Sequence, residues 1–395
     1  MLRKLEIDNF KTMNHFKTEL NPMTVFVGNN AAGKSTVLQA ISLLAGSVRE
    51  DFSAILSVRN WNVADLRSKC RPKTGLKMGL AVELDLTVGQ VSRKLRWEMV
   101  LQYVIQKNSL LLLEETIKDL DDKQMLMEYT NKGTILYKKN REEVSYPRLS
   151  GDSSMLKLVI DVERDKEAFP ELVAVKQFFI GVQSFELLSP EQMRMSSRGK
   201  ETKLSISGRN LPTFLKNMPE KHKKHFQDNL KKLLGEWIAG VSTETKGTPG
   251  WTYVNVEEKF DLNSYQISSR HLSDGMLRLL AFVGIAEVDD GRLMMLDEIE
   301  NGINSSYAEP LMEIFREMSE GGIQLILTTH SVAFLDYVNQ NDIVYLYRDI
   351  KDGSTVAARI FDIPEVRERL EYMYPGEIIY NLDNQKLVEL CLRYR

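Results

Sequence analysis

The 395-residue chain carries 52 Lys and Arg against 55 Asp and Glu, a formal net charge of −3, with 43% hydrophobic and 27% charged residues. Those values exclude a disordered or fibrous chain and make no global case for nucleic acid, although a local basic patch stays open. Two cysteines, Cys70 and Cys391, stand in no metal-ligand spacing, Met1-Leu2-Arg3-Lys4 runs into a strand pattern without an apolar leader, and no apolar run is long enough for a bilayer, so a soluble cytoplasmic protein without a membrane partner is expected.

Leu5 and Ile7 alternate with polar residues up to Phe10, which predicts a first strand, and Asn21-Pro22 marks a turn. Thr24-Val25-Phe26-Val27 then predicts a buried strand, and Ser35 to Ala45 has apolar residues at helical spacing. Between them lies Gly28-Asn29-Asn30-Ala31-Ala32-Gly33-Lys34-Ser35-Thr36, which satisfies G-x-x-x-x-G-K-[ST]. A strand that turns into a helix on glycines points backbone N–H groups inward, and the helix N-terminus adds positive potential. Lys34 is expected to reach the outer phosphates and Ser35 to ligate Mg²⁺, with Gly28, Asn30, Gly33 and Thr36 completing a nucleotide cradle.

Gly46 to about Lys73 reads as loop-rich, with Trp61 as a packing anchor. From Leu76 to about Tyr146 the period changes to two, as in Leu80 to Leu86 and Leu95 to Leu101, which predicts an inserted antiparallel meander. Glu167 to about Gly240 reads as mostly helical, with one helix opening at Leu211 and another over Lys221 to Ile238 whose stripe is Phe226, Leu230, Leu233, Leu234 and Ile238. Arg198, Lys200, Lys203, Lys221, Lys223, Lys224, Lys231 and Lys232 form a basic stretch, which is either a solvated face or a nucleic-acid contact. Trp251 to Val256 predicts one more strand, and no heptad array is present to make a coiled-coil arm.

Leu272-Ser273-Asp274-Gly275-Met276 precedes an apolar helix from Leu277 to Ile285, so Ser273 and Gly275 offer a second anion site at a helix start. One nucleotide needs one P-loop, so a second anion site makes sense if it serves the phosphate held by another copy. Arg292 to Glu298 reads as an apolar strand ending in two carboxylates, with Asp297 placed for Mg²⁺ and Glu298 for the attacking water. Ile323 to His330 reads as another buried strand that ends on Thr328-Thr329-His330, where a γ-phosphate sensor is expected. Asp349 and Asp352 flank a turn at Gly353 and read as a surface loop.

Taken as a set, the Lys34 loop, the Leu272 to Gly275 signature, Asp297-Glu298 and His330 resemble the ABC-type ATPases, and more closely their SMC/RecF/OLD-like branch. Leu5 to Lys11 resembles that branch's opening strand, Asn30 its P-loop asparagine, and Glu300 to Ile303 its D-loop region. The resemblance covers about the first 45 residues and Tyr265 to Tyr347. It implies an α/β P-loop NTPase core with an inserted antiparallel β meander and a helical lobe. The expected domains are 1–50 and 265–350 for the core, 51–264 for the insert, and 351–395 for a C-terminal cap. It also implies ATP and Mg²⁺, with Ser35 and Asp297 on the metal, Glu298 as general base, His330 as sensor, and Ser273 and Gly275 reaching across a dimer.

Three departures stand out. Ala31 replaces a glycine, Ile299 and Asn304 replace residues usual after the acidic pair, and no glutamine matches the Mg²⁺-sensing loop, Gln102 and Gln183 being unsupported. Without heptads or room for a nuclease domain after His330, the chain resembles the stand-alone ATPases of the OLD/RecF-like group, and that resemblance implies a slow ATPase switch, a homodimer or higher homo-oligomer acting as sensor or scaffold with a separate effector in anti-phage defence. A RecF-like DNA repair ATPase, binding through residues between Arg198 and Lys232, and a scaffold with rare turnover are the alternatives.

Overall fold

The computed structural model describes residues 1–70, 75–138, 142–186, 188–288 and 291–394, so the far end of the loop-rich stretch expected up to Lys73 lies outside the described residues. The chain divides into two compact units, Met1–Val182 with Val344–Ile360, and Gln183–Ile343 with Phe361–Arg395.

In the first unit, eight strands among the described residues pair antiparallel. Their order is Phe16–Glu19, Leu2–Asp8, Lys77–Val88, Val91–Val104, Ser109–Asp119, Gln124–Thr130, Gly133–Tyr137, Glu143–Tyr146. The period-two pattern sets the register: Leu80 faces Met99, Val82 faces Trp97 and Leu84 faces Leu95, all buried. A one-residue slip would turn that apolar row to solvent. Helix Pro170–Ile180 packs on the buried side, where the Phe179 and Trp97 rings meet edge to face with centroids 4.7 Å apart. The open side is polar. There Arg96 pairs with Glu6 and Glu83 at 2.9 Å and with Glu98 at 2.8 Å, and the guanidinium hydrogen bond holds the Glu6 carboxyl down at about 2. The expected meander is therefore present, and it continues the sheet begun by the opening strand.

The phosphate-loop strand Met23–Val27 is buried at all five positions and lies beside Ile343–Arg348, which in turn pairs antiparallel with Thr355–Ala358. Helix Lys34–Ser47 follows the loop of residues 28–33, starting one residue earlier than its apolar spacing predicts. Trp61 is half-buried with its ring edge on Phe10, as an anchor should be, and Lys11 and Arg59 lie over it.

In the second unit, Leu293–Leu296 pairs parallel with Gln324–Thr329, and amphipathic helix Ala308–Glu320 connects them. Its Phe315 packs edge to face on Phe282 of helix Asp274–Val288 at 5.9 Å, and helix Glu220–Leu234 packs on that same helix. Ile238 departs from the expected stripe. The helix stops at Leu234 because Gly235 turns the chain at φ 101°, and Ile238 opens a strand instead. That strand, Ile238–Lys246, forms an antiparallel sheet with Trp251–Lys259 and Ser264–Ser268. In the C-terminal segment, helix Pro375–Asn381 is fastened by the Gly376 N–H donating to Asp336 at 2.9 Å.

Candidate nucleotide site

The phosphate loop belongs to the first unit. Gly28 lies against the Leu346 carbonyl, where a Cβ would sit 2.1 Å from its oxygen, so only glycine lets the loop pass so close. Ala31, where a glycine was expected, nevertheless adopts the left-handed conformation at φ 62°. Two side chains absent from the sequence argument hold this turn. The Arg348 guanidinium donates to the Ala31 carbonyl at 3.1 Å, and the Thr355 hydroxyl donates to the Ala32 carbonyl at 2.9 Å. Lys34 folds back over the loop, its ammonium donating to the carbonyls of Gly28 at 2.9 Å and Asn29 at 3.1 Å. Asn30 is exposed, Gly33 and Thr36 are buried, and Ser35 is half-buried at the helix start.

The signature and the acidic pair belong to the second unit. The Ser273 hydroxyl accepts the Met276 N–H at 3.2 Å, capping helix Asp274–Val288 while Ser273 stays exposed. Gly275 abuts the D-loop segment, where its Cβ would lie 2.1 Å from the Gly302 oxygen. Arg194 clamps the entry by pairing with Asp274 and donating to the Leu272 carbonyl at 3.0 Å. Asp297 and Glu298 follow strand Leu293–Leu296, and fully buried Thr328 organises both. Its hydroxyl donates to the Asp297 carboxylate at 2.5 Å and accepts the Glu298 N–H at 2.8 Å. Glu298 itself sits in the left-handed region at φ 49°, which turns its exposed carboxylate out of the strand direction, and that carboxylate takes the Asn301 amide at 3.5 Å. Glu300 grips the next strand end, accepting the Thr329 hydroxyl at 2.9 Å and the His330 N–H at 2.5 Å, with His330 exposed.

Sequence reasoning passed over Arg194 and Arg278, and read Thr328 only as one of a polar triplet. Arg278 is half-buried on the signature helix and donates to the Leu188 carbonyl at 3.4 Å. Burial draws its guanidinium below the usual range, while Glu298, Asp274, Asp297 and Glu300 act in the opposite direction. The position of Arg278 three residues beyond Gly275, on the face that turns back toward the helix start, was the only signal available.

The basic residues divide. Lys221, Lys223, Lys224, Lys231 and Lys232 ride the helix whose Phe226, Leu230, Leu233 and Leu234 are buried, and Lys223 pairs with Glu220 at 2.6 Å. Arg198, Lys200 and Lys203 lie in exposed chain before Leu211, with Arg198 against the Trp251 ring. Gln102 lies within the meander opposite Lys77, and Gln183 opens the second unit.

The residues fit a nucleotide and its metal. Each unit carries a part that fits: in the first, the glycine loop with the Lys34 ammonium folded over it and the Ser35 hydroxyl at the helix start, and in the second the Asp297 carboxylate, a hydroxyl and a carboxylate being oxygen donors of the kind Mg²⁺ takes.

A strand–glycine loop–helix and a parallel acidic strand, joined in one chain to an antiparallel sheet and a signature helix, define a P-loop ATPase of the ABC/SMC/OLD-like class. The family described as "AAA domain, putative AbiEii toxin, Type IV TA system" matches residues 23–336, and the chain belongs to it. An "ATP/GTP phosphatase" of Helicobacter pylori (strain ATCC 700392 / 26695) is 19% identical over 357 residues, covering 86% of this chain and 88% of its own length. The "OLD nuclease" of Thermus scotoductus (strain ATCC 700910 / SA-01) is 44% identical over 48 residues, which are 12% of this chain and 9% of that protein. Among solved structures, an Smc head bound to the C-winged helix domain of ScpA superposes with a TM-score of 0.54 at 13% identity, covering 90% of this chain and 96% of that one. Among the described residues no helix is long and apolar enough to cross a membrane.

Proposed function

We propose that the chain is an ATP-driven dimeric switch, in which each nucleotide is shared between the phosphate loop of one copy and the Ser273–Gly275 signature of the other. The observation that carries this reading is the exposed, capped start of helix Asp274–Val288, a second helix start of the kind that suits a phosphate, in a chain that already has the one after its glycine loop. Lys34 leaves the loop carbonyls and binds the outer phosphates, with the N–H groups of the loop around them. Ser35 and Asp297 would hold Mg²⁺, which when bound would supply charge neutralisation at the phosphates. Thr328 keeps the Asp297 carboxylate oriented by donating to it. Glu298, held out by its left-handed backbone, accepts the proton of the attacking water, and His330 contacts the terminal phosphate. Hydrolysis opens the dimer and resets a slow switch.

The partner is a separately encoded effector in a bacterial defence system. A family description that names a toxin–antitoxin system supports a partnered arrangement, as does a relative solved with a second protein on its head. The experiment is light scattering of wild-type and Glu298→Gln protein with and without ATP and Mg²⁺. The expected result is a nucleotide-dependent rise in mass that persists in the variant, whose phosphate release falls by roughly a hundredfold or more. A monomer under every condition would sink the shared site, and an assembly indifferent to nucleotide would leave a scaffold.

A further inference from the structure

The three-stranded sheet of the second unit has a use that the ATPase reading does not require. Its register puts Trp251 opposite Lys246 and Tyr253 opposite Glu244, so the two aromatics, two residues apart on one strand, share a face. Thr252, between them, is buried on the other face with Val254 and Val256. The aromatic face has solvent on it: Trp251 is 47% exposed.

Each ring has a guanidinium over it. Arg198 lies 5.9 Å from the Trp251 centroid, and Arg270 lies 5.1 Å from that of Tyr253. Both arginines are exposed. Arg198 is brought there by the bridge between Ser197 and Thr252, and Arg270 by the turn Ser269–His271 that follows the third strand. The Glu244 carboxylate on this face is neutralised by Lys246 at 3.0 Å.

We propose that this face is a stacking platform for single-stranded nucleic acid, with Trp251 and Tyr253 taking two successive bases and Arg198 and Arg270 taking the adjoining phosphates. An aromatic row on a sheet needs the flat face of a base, and a duplex hides those faces in its own stack, presenting only edges and backbone. Two guanidinium groups, each over one of the two rings and each on an exposed side chain, match the alternation of base and phosphate along one strand, where a basic helix alone would match any polyanion. Arg270 stands in the turn just ahead of Ser273, so a strand on the platform borders the signature segment.

The proposal does not depend on the shared nucleotide site, and its test runs without ATP. Fluorescein-labelled oligo-dT and oligo-U are titrated with the full-length chain at low salt, followed by anisotropy, against a duplex of equal length. The expected result is that single strands bind more tightly than the duplex. Trp251→Ala and Tyr253→Ala each weaken binding about tenfold, and together about a hundredfold. Trp251→Phe, which keeps an aromatic face, keeps binding within a few-fold. If the alanine variants fail to fold, Arg198→Gln decides, because it leaves both rings in place and should weaken binding and flatten its salt dependence. The proposal is overturned if single strands do not bind at low salt, if the duplex binds more tightly, if the double substitution binds as wild type does, or if Arg198→Gln keeps both affinity and salt slope. A preference between the DNA and RNA strands would report a contact to the 2′-hydroxyl and leaves the platform standing.

Discussion

Replacing Ala31 by glycine should make the protein more stable, against the usual direction of such a change. Ala31 is held at φ 62°, where an L-residue crowds its own Cβ against the following carbonyl at a cost of about 1–2 kcal/mol. Glycine removes that cost but loosens the unfolded chain, which offsets about 0.4–1 kcal/mol. The Arg348 bond to the residue's carbonyl is a backbone contact and survives the change. The net lies between about 0 and 1.6 kcal/mol, centred on a gain of roughly 0.8 kcal/mol, or a melting temperature about 2–3 °C higher for a unit of this size. Calorimetric or circular-dichroism melts without nucleotide read it directly, with denaturant midpoints as a check on reversibility. Gly33→Ala is the companion. Its φ of 105° and the Thr355 hydroxyl 2.5 Å from the new Cβ should cost roughly 2 kcal/mol or more. If Ala31→Gly melted lower than wild type, left-handed strain at that residue would be refuted, whatever Gly33→Ala did.

Thr328→Val keeps the shape of the buried side chain but takes the hydroxyl from between the Glu298 N–H and the Asp297 carboxylate; a loss of about 1–3 kcal/mol in a denaturant titration is expected. Gly275→Ala drives a Cβ into the Gly302 carbonyl and should abolish nucleotide-dependent mass change in light scattering while nucleotide binding to the first unit, measured by a fluorescent ATP analogue, stays within a few-fold of wild type. Glu115 supplies a pH dependence. Burial pushes its carboxyl from 4.5 up to about 7, against the hydrogen bonds from Ser154, the Met155 N–H and Trp97. The folded state therefore holds this proton where the unfolded chain releases it, and the contribution, complete below pH 4.5, is lost as pH rises through 7, by up to about 3 kcal/mol. Stability curves between pH 5 and 8 should slope downward for wild type and flatten for Glu115→Gln; equal slopes would refute the buried acid.

Much of this protein was written locally. The cradle is contiguous from Gly28 to Thr36, and its strand and helix are adjacent in sequence, so glycine placement and apolar spacing suffice to find it. The alternation from Leu80 to Leu101 set which face of the meander is buried, since period two leaves no other choice. What the tertiary structure alone decided are partnerships between residues distant in the chain. Arg348 and Thr355 hold the phosphate loop from more than three hundred residues away, and neither carries a motif. Thr328 was visible only as one of a polar triplet, because its role depends on a hydroxyl landing between Asp297 and Glu298 once two strands pair. The helix ending at Leu234 shows the limit in the other direction. Ile238 has the right period for the stripe, but a glycine in between redirects the backbone, and periodicity counts side chains without sensing the turn. Local chemistry names the groups that can bind a phosphate; packing across long loops decides how those groups are held.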